Sequence, residues 1–418
     1  MISRRHGTAR AGRARHLGVR FGVLAATAAL VMLTTAGGAA AAGGPGGRLL
    51  PASRTAAAAA AVGSQPPAPL VSNYETATGN SLDRDCGWSR PLPGSTTQSF
   101  WLFCDTAIDS TPGTLLCGVC FIPGSTAAEG PFSAGLVPET LSELPTPPAA
   151  PTLPDSNAPA PFLANPDAAS LGCTASGDYA ARWSSGVVRE PLSPDFLITY
   201  TDVCVEGSAD TILTEGFGVV SYNPSTNALG SYQDVFTGQN LGTSEPQWLL
   251  GSPVLDGPYL YLYSGNCADP GLICQGGGDV FLARVPASPL AWGTSADYTF
   301  YTGTSASGSP QWGSYASAVS DVPSAAPAGS GGWTADNYAS VGHRYVAINE
   351  TSIGGDYQVW SASSPAGPWT VIQSGRLCGP GDGCHALIGH PELSTSSNLM
   401  VSYYSLDAHH IEVAAIPW

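Results

Sequence analysis

The chain repeats one local pattern: a short strand, a turn rich in proline and glycine, and a second strand rich in aromatic and β-branched residues. Proline and glycine turns interrupt helices, while aromatic and β-branched residues favour strands. Residues 70–418 show almost no amphipathic helical periodicity, which excludes a helical bundle. Five units of the chain open with this pattern, at 84–106, 181–204, 247–267, 340–351 and 385–405.

Second hairpins follow three of these units, at 217–236, 278–301 and 356–372. One hairpin of each kind makes a four-stranded sheet, and five such sheets predict an all-β, five-bladed β-propeller. A β-sandwich is the alternative, but the length and the recurring tryptophans favour the propeller. The last unit has only three clear strands, so we expect an N-terminal strand at Val71 to Thr76 to complete it.

The balance of charges limits the possible partners. The chain of 418 residues has a formal net charge of −16, and only 11% of its residues are charged. Its basic residues are all arginine, which excludes a Schiff-base lysine and a P-loop lysine. An acidic surface argues against nucleic acid and anionic membranes, so we expect a neutral or cationic ligand and a monomer.

The N-terminal region has the pattern of an export signal. Arginine-rich residues 1–20 precede an apolar run from Phe21 to Thr35 and a tract of small residues. We predict a secretory signal peptide over residues 1–42, exported by Sec or Tat, with an uncleaved anchor as the alternative. Residues 43–70 are predicted to be a disordered spacer rich in Ala, Gly and Pro. The propeller is then expected over 71–418, with a proline-rich surface insertion at about 106–178.

Ten cysteines in an exported chain predict disulfide bonds and an extracellular or cell-envelope location. The spacing suggests the pairs Cys86/Cys104, Cys267/Cys274 and Cys378/Cys384. The Cys117-Gly-Val-Cys120 segment also has the form of a redox or zinc motif, but no second such motif accompanies it, so a structural disulfide is expected.

Four segments together resemble a known family: RDCGWSRPLP…SFWLFCDT (84–106), QWLLGSPVLDGPYLYLYSG (247–265), VWSASSPAGPWT (359–370) and GHPELSTSSNLMVSYYS (389–405). The family was formerly the domain of unknown function 4185, and part of it is glycoside hydrolase family 183, secreted endo-D-arabinanases on a five-bladed propeller. The resemblance covers about residues 78–418. It implies an enzyme that cleaves an arabinan-type cell-wall or plant polysaccharide. Cys86 and Cys104 depart from the small residues expected at their positions, and the 106–178 insertion is large.

Glycoside hydrolysis typically uses two carboxyl groups, one as acid and one as base or nucleophile. Asp85 is the first candidate for base or nucleophile, with Arg84 beside it to keep the carboxylate ionised and contact substrate. Asp105 ends the paired strand and is expected either to be catalytic or to orient Asp85. The alternative for both aspartates is a structural turn. The full set of candidate carboxyl groups is Asp85, Asp105, Asp202, Glu245, Glu350 and Glu392.

Three further residues have both a functional and a structural interpretation. Glu245 is a candidate general acid, or a solvated loop residue. Glu392 has apolar neighbours, so it is either a buried acid with a raised pKa or a structural group. His390 is expected to bind substrate or a channel metal, or to make a structural hydrogen bond. No cofactor is predicted, although a structural metal ion in the central channel is left open.

Tryptophans near the starts of inner strands are candidates for stacking on sugar rings, with core packing as the alternative. They are Trp88, Trp183, Trp248 and Trp312. The function predicted first is therefore a secreted glycosidase acting on a polysaccharide or oligosaccharide. A non-catalytic propeller that binds glycan or protein is the second hypothesis. A sialidase-like exo-glycosidase is the third hypothesis. Such an enzyme requires a cluster of arginines, and the small number of arginines in this chain argues against it.

Overall fold

The computed structural model describes residues 67–118, 120–138, 140–148, 157–207, 211–237, 250–265, 280–319, 332–352, 354–379 and 381–418. The predicted signal peptide and nearly all of the predicted spacer lie outside these residues, as do Glu245, Trp248 and the Cys267/Cys274 pair. No helix in the described part of the chain is long and apolar enough to cross a membrane.

The described residues form five antiparallel sheets, the blades of a five-bladed β-propeller, as predicted. Two elements precede the first blade: β1 (Ala68–Pro69) and α1 (Asn73–Thr78). The first blade contains β2 (Ser81–Pro91), β3 (Gln98–Thr111), β4 (Thr114–Leu115), β5 (Phe121–Ile122), β6 (Thr126–Pro131) and β7 (Ser142–Glu143). The second contains β8 (Tyr179–Arg189), β9 (Phe196–Glu206), β10 (Thr211–Asn223), β11 (Ala228–Leu229) and β12 (Gln233–Thr237).

The remaining three blades follow in chain order. The third contains β13 (Gly251–Asp256), β14 (Tyr259–Gly265), β15 (Val280–Pro286), helix α2 (Pro289–Trp292), a 3₁₀ turn (Ser295–Asp297), β16 (Thr299–Thr304), β17 (Pro310–Gly313) and a 3₁₀ turn (Tyr315–Ser317). The fourth contains β18 (Trp333–Asn337), a 3₁₀ turn (Ala339–Val341), β19 (Tyr345–Glu350), β20 (Asp356–Ala362) and β21 (Thr370–Arg376). The fifth contains β22 (Cys384–Gly389), β23 (Asn398–Ser405) and β24 (His410–Pro417).

The first strand of each blade lies innermost. Strands β2, β8, β13, β18 and β22 contact one another in a closed ring around the central channel. Four of them carry a β-bulge, the exception being β18. Because a bulge re-aims the side chains beside it, these irregularities determine which residues the inner strands present.

The fifth blade is completed from the N-terminal side, as predicted, but by different residues. β1 pairs with β24, with Ala68 opposite Val413. The predicted strand at Val71 to Thr76 is wrong, because these residues enter helix α1. A capping box starts this helix: Ser72 accepts from the Glu75 amide, and the Glu75 carboxylate accepts from the Ser72 amide.

The segment predicted as an insertion at about 106–178 is partly blade. Strand β6 pairs with β3, and its Ala127 and Ala128 are fully buried. Farther along the segment, Phe162 packs in the core between the first two blades. These strands lack the aromatic and β-branched residues that mark the others, so sequence patterning misses them.

Two details of the third and fourth blades differ from expectation. Trp312 lies on the outermost strand β17, packed over Arg284, and is not near the start of an inner strand. The 340–351 segment supplies the second strand of its blade, and the inner strand is β18. Trp369 is buried against Trp333 in a structural role, as expected from its turn.

Candidate active site

Asp85 lies in the middle of β2, opposite a bulge in β3. Arg84 pairs with Thr106 and Cys86 pairs with Phe103, so that Cys104 and Asp105 on β3 together oppose Asp85. Asp85 and Asp105 are thus side by side, as predicted, although inside two long strands rather than at strand ends. Gly87 follows with φ +109°, a conformation that strongly favours glycine, and an added Cβ would lie 3.2 Å from Ser402 Oγ.

The Asp85 side chain is partly exposed, at 37%, and its Oδ2 lies 3.6 Å from His385 Nε2. Its Oδ1 is buried and has no hydrogen-bond partner in the described structure. Asp85 therefore has acceptor capacity that no described protein group uses.

Asp105 is held by three donors from two blades. Its Oδ1 accepts from the Gly124 amide at 2.6 Å and from Trp183 Nε1 at 2.7 Å. Its Oδ2 accepts from the Tyr179 hydroxyl at 2.7 Å. Tyr179 and Trp183 both belong to β8, so the second blade orients a carboxyl group of the first.

Burial raises the pKa of Asp105 to about 6. The hydrogen bonds from Tyr179, Gly124 and Trp183 oppose this rise, and the nearby charge of Asp85 adds to it. Since the two donors to Oδ1 occupy both of its lone pairs, a proton on Asp105 belongs on Oδ2. Asp105 is thus partly protonated near pH 6, and the donor pattern assigns the proton to Oδ2.

His385 connects Asp85 to a second buried carboxyl group, Glu350. Burial lowers the pKa of His385, but its hydrogen bond to Asp85 and the charges of Asp85 and Glu350 outweigh burial, so the pKa is raised. Glu350 is only 2% exposed and accepts from the Ala386 amide at 3.0 Å. Burial raises the pKa of Glu350 to about 7, against the charge of His385 and the amides of Ala386 and Leu387.

Two further acidic residues, Asp83 and Asp109, lie beyond His385. The His385 ring is 5.0 Å from that of Tyr404, whose hydroxyl donates to Asp83 Oδ1 at 2.7 Å. His409 Nδ1 lies 3.2 Å from Asp83 Oδ2. Burial and the charge of Asp83 raise the pKa of Asp109 beside them. The site is therefore rich in carboxyl groups and poor in positive charge.

The four disulfides of the described structure all adjoin this site. Cys86–Cys104 joins the residue after Asp85 to the residue before Asp105, as predicted. Cys378–Cys384 ends one residue before His385, also as predicted. Cys117 and Cys120 form the expected disulfide, and Cys173–Cys204 lies beside Tyr179, since Ala180 pairs with Cys204. Covalent cross-links thus restrain the strands that carry the site.

Arg84 forms its ion pair with Glu143 and not with Asp85. Its guanidinium is buried, pairs with Glu143 Oε2 at 2.9 Å and lies 3.6 Å from the centre of the Phe103 ring. The prediction that it keeps Asp85 ionised and contacts substrate is therefore wrong, because neighbouring strand residues point to opposite faces. Trp88 packs against the core between the first two blades, so its structural interpretation holds.

Glu392 and His390 belong to another part of the channel wall. Glu392 accepts a hydrogen bond from Ser89, and His390 is fully buried between Ser89 and Ser402 at 2.6 and 2.8 Å. Ser89 lies four residues beyond Asp85 on β2, roughly 13 Å along the strand. Burial raises the pKa of Glu392 and lowers that of His390 to about 3. Glu392 is thus buried with a raised pKa, as expected, but it lies apart from the Asp85 group, and its acid role and the substrate-binding role of His390 stay predictions.

Asp202 is structural. Arg182 binds both of its oxygens at 2.7 Å, and this buried pair lies against the Tyr200 ring. Burial raises the pKa of Asp202 and the Arg182 charge opposes the rise. No arginine forms an ion pair with Asp85 or Asp105 among the described residues, so this part of the chain lacks the cluster that a sialidase-like site requires.

The described residues contain two groups with ligand-type atoms within 4.8 Å of one another: Asp85, Cys86 and Cys104, and Cys173, Asp178 and Cys204. All four cysteines are in disulfides, and only a thiolate binds a metal strongly. Neither group is therefore a metal centre.

Sequence reasoning included Glu350 among the candidates without giving it a role, and it missed Tyr179 and His385. A signal existed for His385, because it directly follows a cysteine of the predicted Cys378/Cys384 loop. Tyr179 opens a strand after a long irregular segment, and nothing in the sequence places it near Asp105.

Comparisons with known proteins identify the fold. No protein-family model matches the chain, and neither does any curated protein sequence. Among solved structures, a protein of Bacteroides ovatus described as a hydrolase shares 14% identity, with a TM-score of 0.50 over 80% of this chain and 85% of that one. The GH43_1 enzyme of Xanthomonas citri complexed with xylose shares 11% identity, with a TM-score of 0.42 over 84% and 89%. The α-L-arabinanase of Penicillium chrysogenum complexed with arabinobiose also shares 11%, with a TM-score of 0.38 over 85% and 98%.

Proposed function

We propose that this protein is a secreted glycoside hydrolase that cleaves glycosidic bonds with Asp85 and Asp105. One observation carries the proposal: two carboxyl groups in different environments lie side by side where an inner propeller strand pairs with a bulge in its neighbour. Asp85 is partly exposed, with an oxygen that lacks a partner, while Asp105 has a pKa of about 6. A pair of carboxyl groups whose environments differ in this way suits separate base and acid roles.

Asp85 takes the role of base or nucleophile. Its exposed side chain reaches a substrate or a water molecule, and His385 steadies its second oxygen. Attack on the anomeric carbon, directly or through an activated water, breaks the bond between that carbon and the glycosidic oxygen.

Asp105 takes the role of general acid. Its Oδ2 proton is transferred to the glycosidic oxygen, and the resulting carboxylate is stabilised by Gly124, Trp183 and Tyr179. A pKa of about 6 suits this transfer, because an acid works best when its pKa lies near the working pH. The charge of Glu350 raises the pKa of His385 from the buried side.

The substrate class is a neutral polysaccharide. A site with many carboxyl groups repels acidic sugars, and a neutral glycan carries no such penalty. The resemblance of four segments to the endo-D-arabinanase family favours an arabinan-type polymer. The Bacteroides ovatus protein is described as a hydrolase, which agrees with the proposed class of reaction. The disulfides favour an exported protein of the extracellular space or cell envelope.

The test measures reducing ends released from D-arabinan, L-arabinan, arabinogalactan and xylan by the purified protein. We expect release from an arabinan, and a loss of about 10²–10⁴-fold in Asp85→Asn. Asp297→Asn, at an exposed turn of the third blade, is the matched control and should retain full activity. No release from any polymer, with binding to one retained, would point to the non-catalytic glycan-binding propeller.

A second comparison separates the two roles. Protonation of the leaving oxygen matters little for a glycoside whose leaving group is already acidic, such as a dinitrophenyl glycoside. Asp105→Asn should therefore keep much of its activity on that substrate and lose it on the polymer. Asp85→Asn should lose both. Equal losses on both substrates in Asp105→Asn would remove Asp105 from the acid role.

A further inference from the structure

An exposed aromatic side chain lies beside the proposed acid. Phe121, on the short strand β5, is 39% exposed. Its ring meets the Tyr179 ring edge to face, with 5.4 Å between centroids. The hydroxyl of the same Tyr179 donates to Asp105 Oδ2. One phenol ring thus links an exposed phenyl ring to the proposed site of proton transfer.

The register of β5 fixes the direction of Phe121. Phe121 pairs with Ala107 on β3, two residues from Asp105. Residues two apart on a strand share a face, and directly opposed residues share it too. Phe121, Ala107 and Asp105 therefore face the second blade together, toward Tyr179.

The segment that carries Phe121 is held in place. The Cys117–Cys120 disulfide immediately precedes it, and the Ile108 amide donates to the Cys120 carbonyl at 2.8 Å. Gly113, earlier in the same segment, lies against His409, which an added Cβ would approach to 2.8 Å. The segment is therefore a fixed rim of the site, and it holds the partly exposed Phe121 ring in one place beside Tyr179.

We propose that Phe121 is the platform of a second sugar-binding subsite, next to the sugar that reacts at Asp85 and Asp105. The aliphatic face of a neutral sugar ring stacks on an exposed aromatic ring, while its hydroxyl groups remain in water. The ligand is thus an oligosaccharide or polysaccharide chain rather than a single sugar. This inference rests on the proposed function, because the direction of the chain is set by the position of Asp105.

The test measures affinity as a function of chain length. Calorimetry is performed on the Asp85→Asn protein, which binds without turnover, and on Asp85→Asn with Phe121→Ala. The probes are methyl arabinofuranoside, arabinobiose and arabinotriose of the D and L series, and xylotriose. We expect the affinity gained between the monosaccharide and the trisaccharide to shrink about tenfold without the ring. Phe121→Trp should restore the gain.

Leu116→Ala is the matched control, because Leu116 is 44% exposed in the same segment but makes no described contact with Tyr179. It should leave the gain with chain length unchanged. The subsite is overturned if the affinity gained with chain length is the same in Asp85→Asn and in Asp85→Asn with Phe121→Ala. It is also overturned if none of the probes binds. If the wild-type protein binds these sugars but cleaves none of the polymers, the glycosidase proposal fails, while the dependence on chain length still decides the role of Phe121.

Discussion

The Tyr179 hydroxyl, on the innermost strand of the second blade, donates a 2.7 Å hydrogen bond to Asp105 Oδ2 on the first blade. Burial raises the pKa of Asp105, and this bond is the largest contribution that opposes the rise. The contact between two blades therefore lowers a pKa that burial raises in the proposed acid. A disulfide lies close to this bond in each of the two blades, so the strands that carry Asp105 and Tyr179 are each restrained covalently.

Replacing Tyr179 should shift the pH dependence of activity. Tyr179→Phe removes a donor that favours the charged form of Asp105, so the pKa of Asp105 rises above about 6. Activity that needs protonated Asp105 is lost as the pH rises through this pKa, and the alkaline limb should move to higher pH. The measurement is the pH profile of kcat. Tyr403→Phe, which removes a donor to Glu412 in the fifth blade, should leave the limb in place. An unmoved limb in Tyr179→Phe would contradict the assignment.

Glu350 should make the protein less stable as the pH rises. Its pKa is about 7 in the folded protein and 4.5 ordinarily, so the folded state binds more protons between these values. The stabilisation is complete below about pH 4.5 and is lost by about pH 7, a change of roughly 3 kcal/mol. Urea unfolding at pH 4.5 and 7.5 should show a smaller decrease in Glu350→Gln than in the wild type.

Glu129→Gln is the matched control for that measurement. Burial also raises the pKa of Glu129 to about 7, and Glu129 is on β6, opposite Phe100. Both variants should flatten the dependence of stability on pH. Only Glu350→Gln should also change the pH profile of activity, because Glu350 raises the pKa of His385. The same activity profile in both variants would remove Glu350 from the site.

The Cys86–Cys104 disulfide should matter for activity as well as stability. Its cysteines are 18 residues apart, and closing such a loop stabilises a protein by about 3 kcal/mol. In Cys86→Ala/Cys104→Ala we expect a comparable loss of stability and a decrease in kcat of about tenfold or more, because small displacements of reacting groups are costly. Leu262→Ala, a truncation in the core between the second and third blades, loses a similar free energy of about 2–5 kcal/mol. Below its melting temperature it should stay fully active. Full activity without the disulfide would show that Asp85 and Asp105 keep their places unaided.

Replacing Arg84 should affect folding and not substrate binding. Arg84→Met leaves Glu143 as a buried charge without its partner, which costs about 3–5 kcal/mol. Urea unfolding should show this loss, and the KM for the polymer should stay unchanged. The double variant Arg84→Met/Glu143→Leu should recover most of the stability, because no buried charge remains. A raised KM with normal stability would restore the substrate-binding role first expected for Arg84.

Local sequence patterns determined the strands and much of the site. Alternation of strands with proline turns predicts the five sheets, and the spacing within 84–106 predicts that Asp85 and Asp105 are opposed. The same spacing predicts the Cys86–Cys104 bond. These features are local, since hairpin partners lie close together in the sequence and their pairing follows from the turn between them.

Tertiary structure decided which of these residues meet the rest of the chain. Arg84 is next to Asp85 in sequence but points to the other face, while His385 reaches Asp85 from three hundred residues away. Glu392 has apolar neighbours in the sequence and Glu350 lies between Asn349 and Thr351, yet of the two only Glu350 adjoins the Asp85 group. A local pattern encodes strand pairing and turn chemistry, whereas the contacts between blades depend on how five sheets close into a ring and where bulges turn the side chains. The pKa of Asp105 depends on burial and on Tyr179 of a neighbouring blade. It is therefore a property of the closed ring of blades and not of the local sequence.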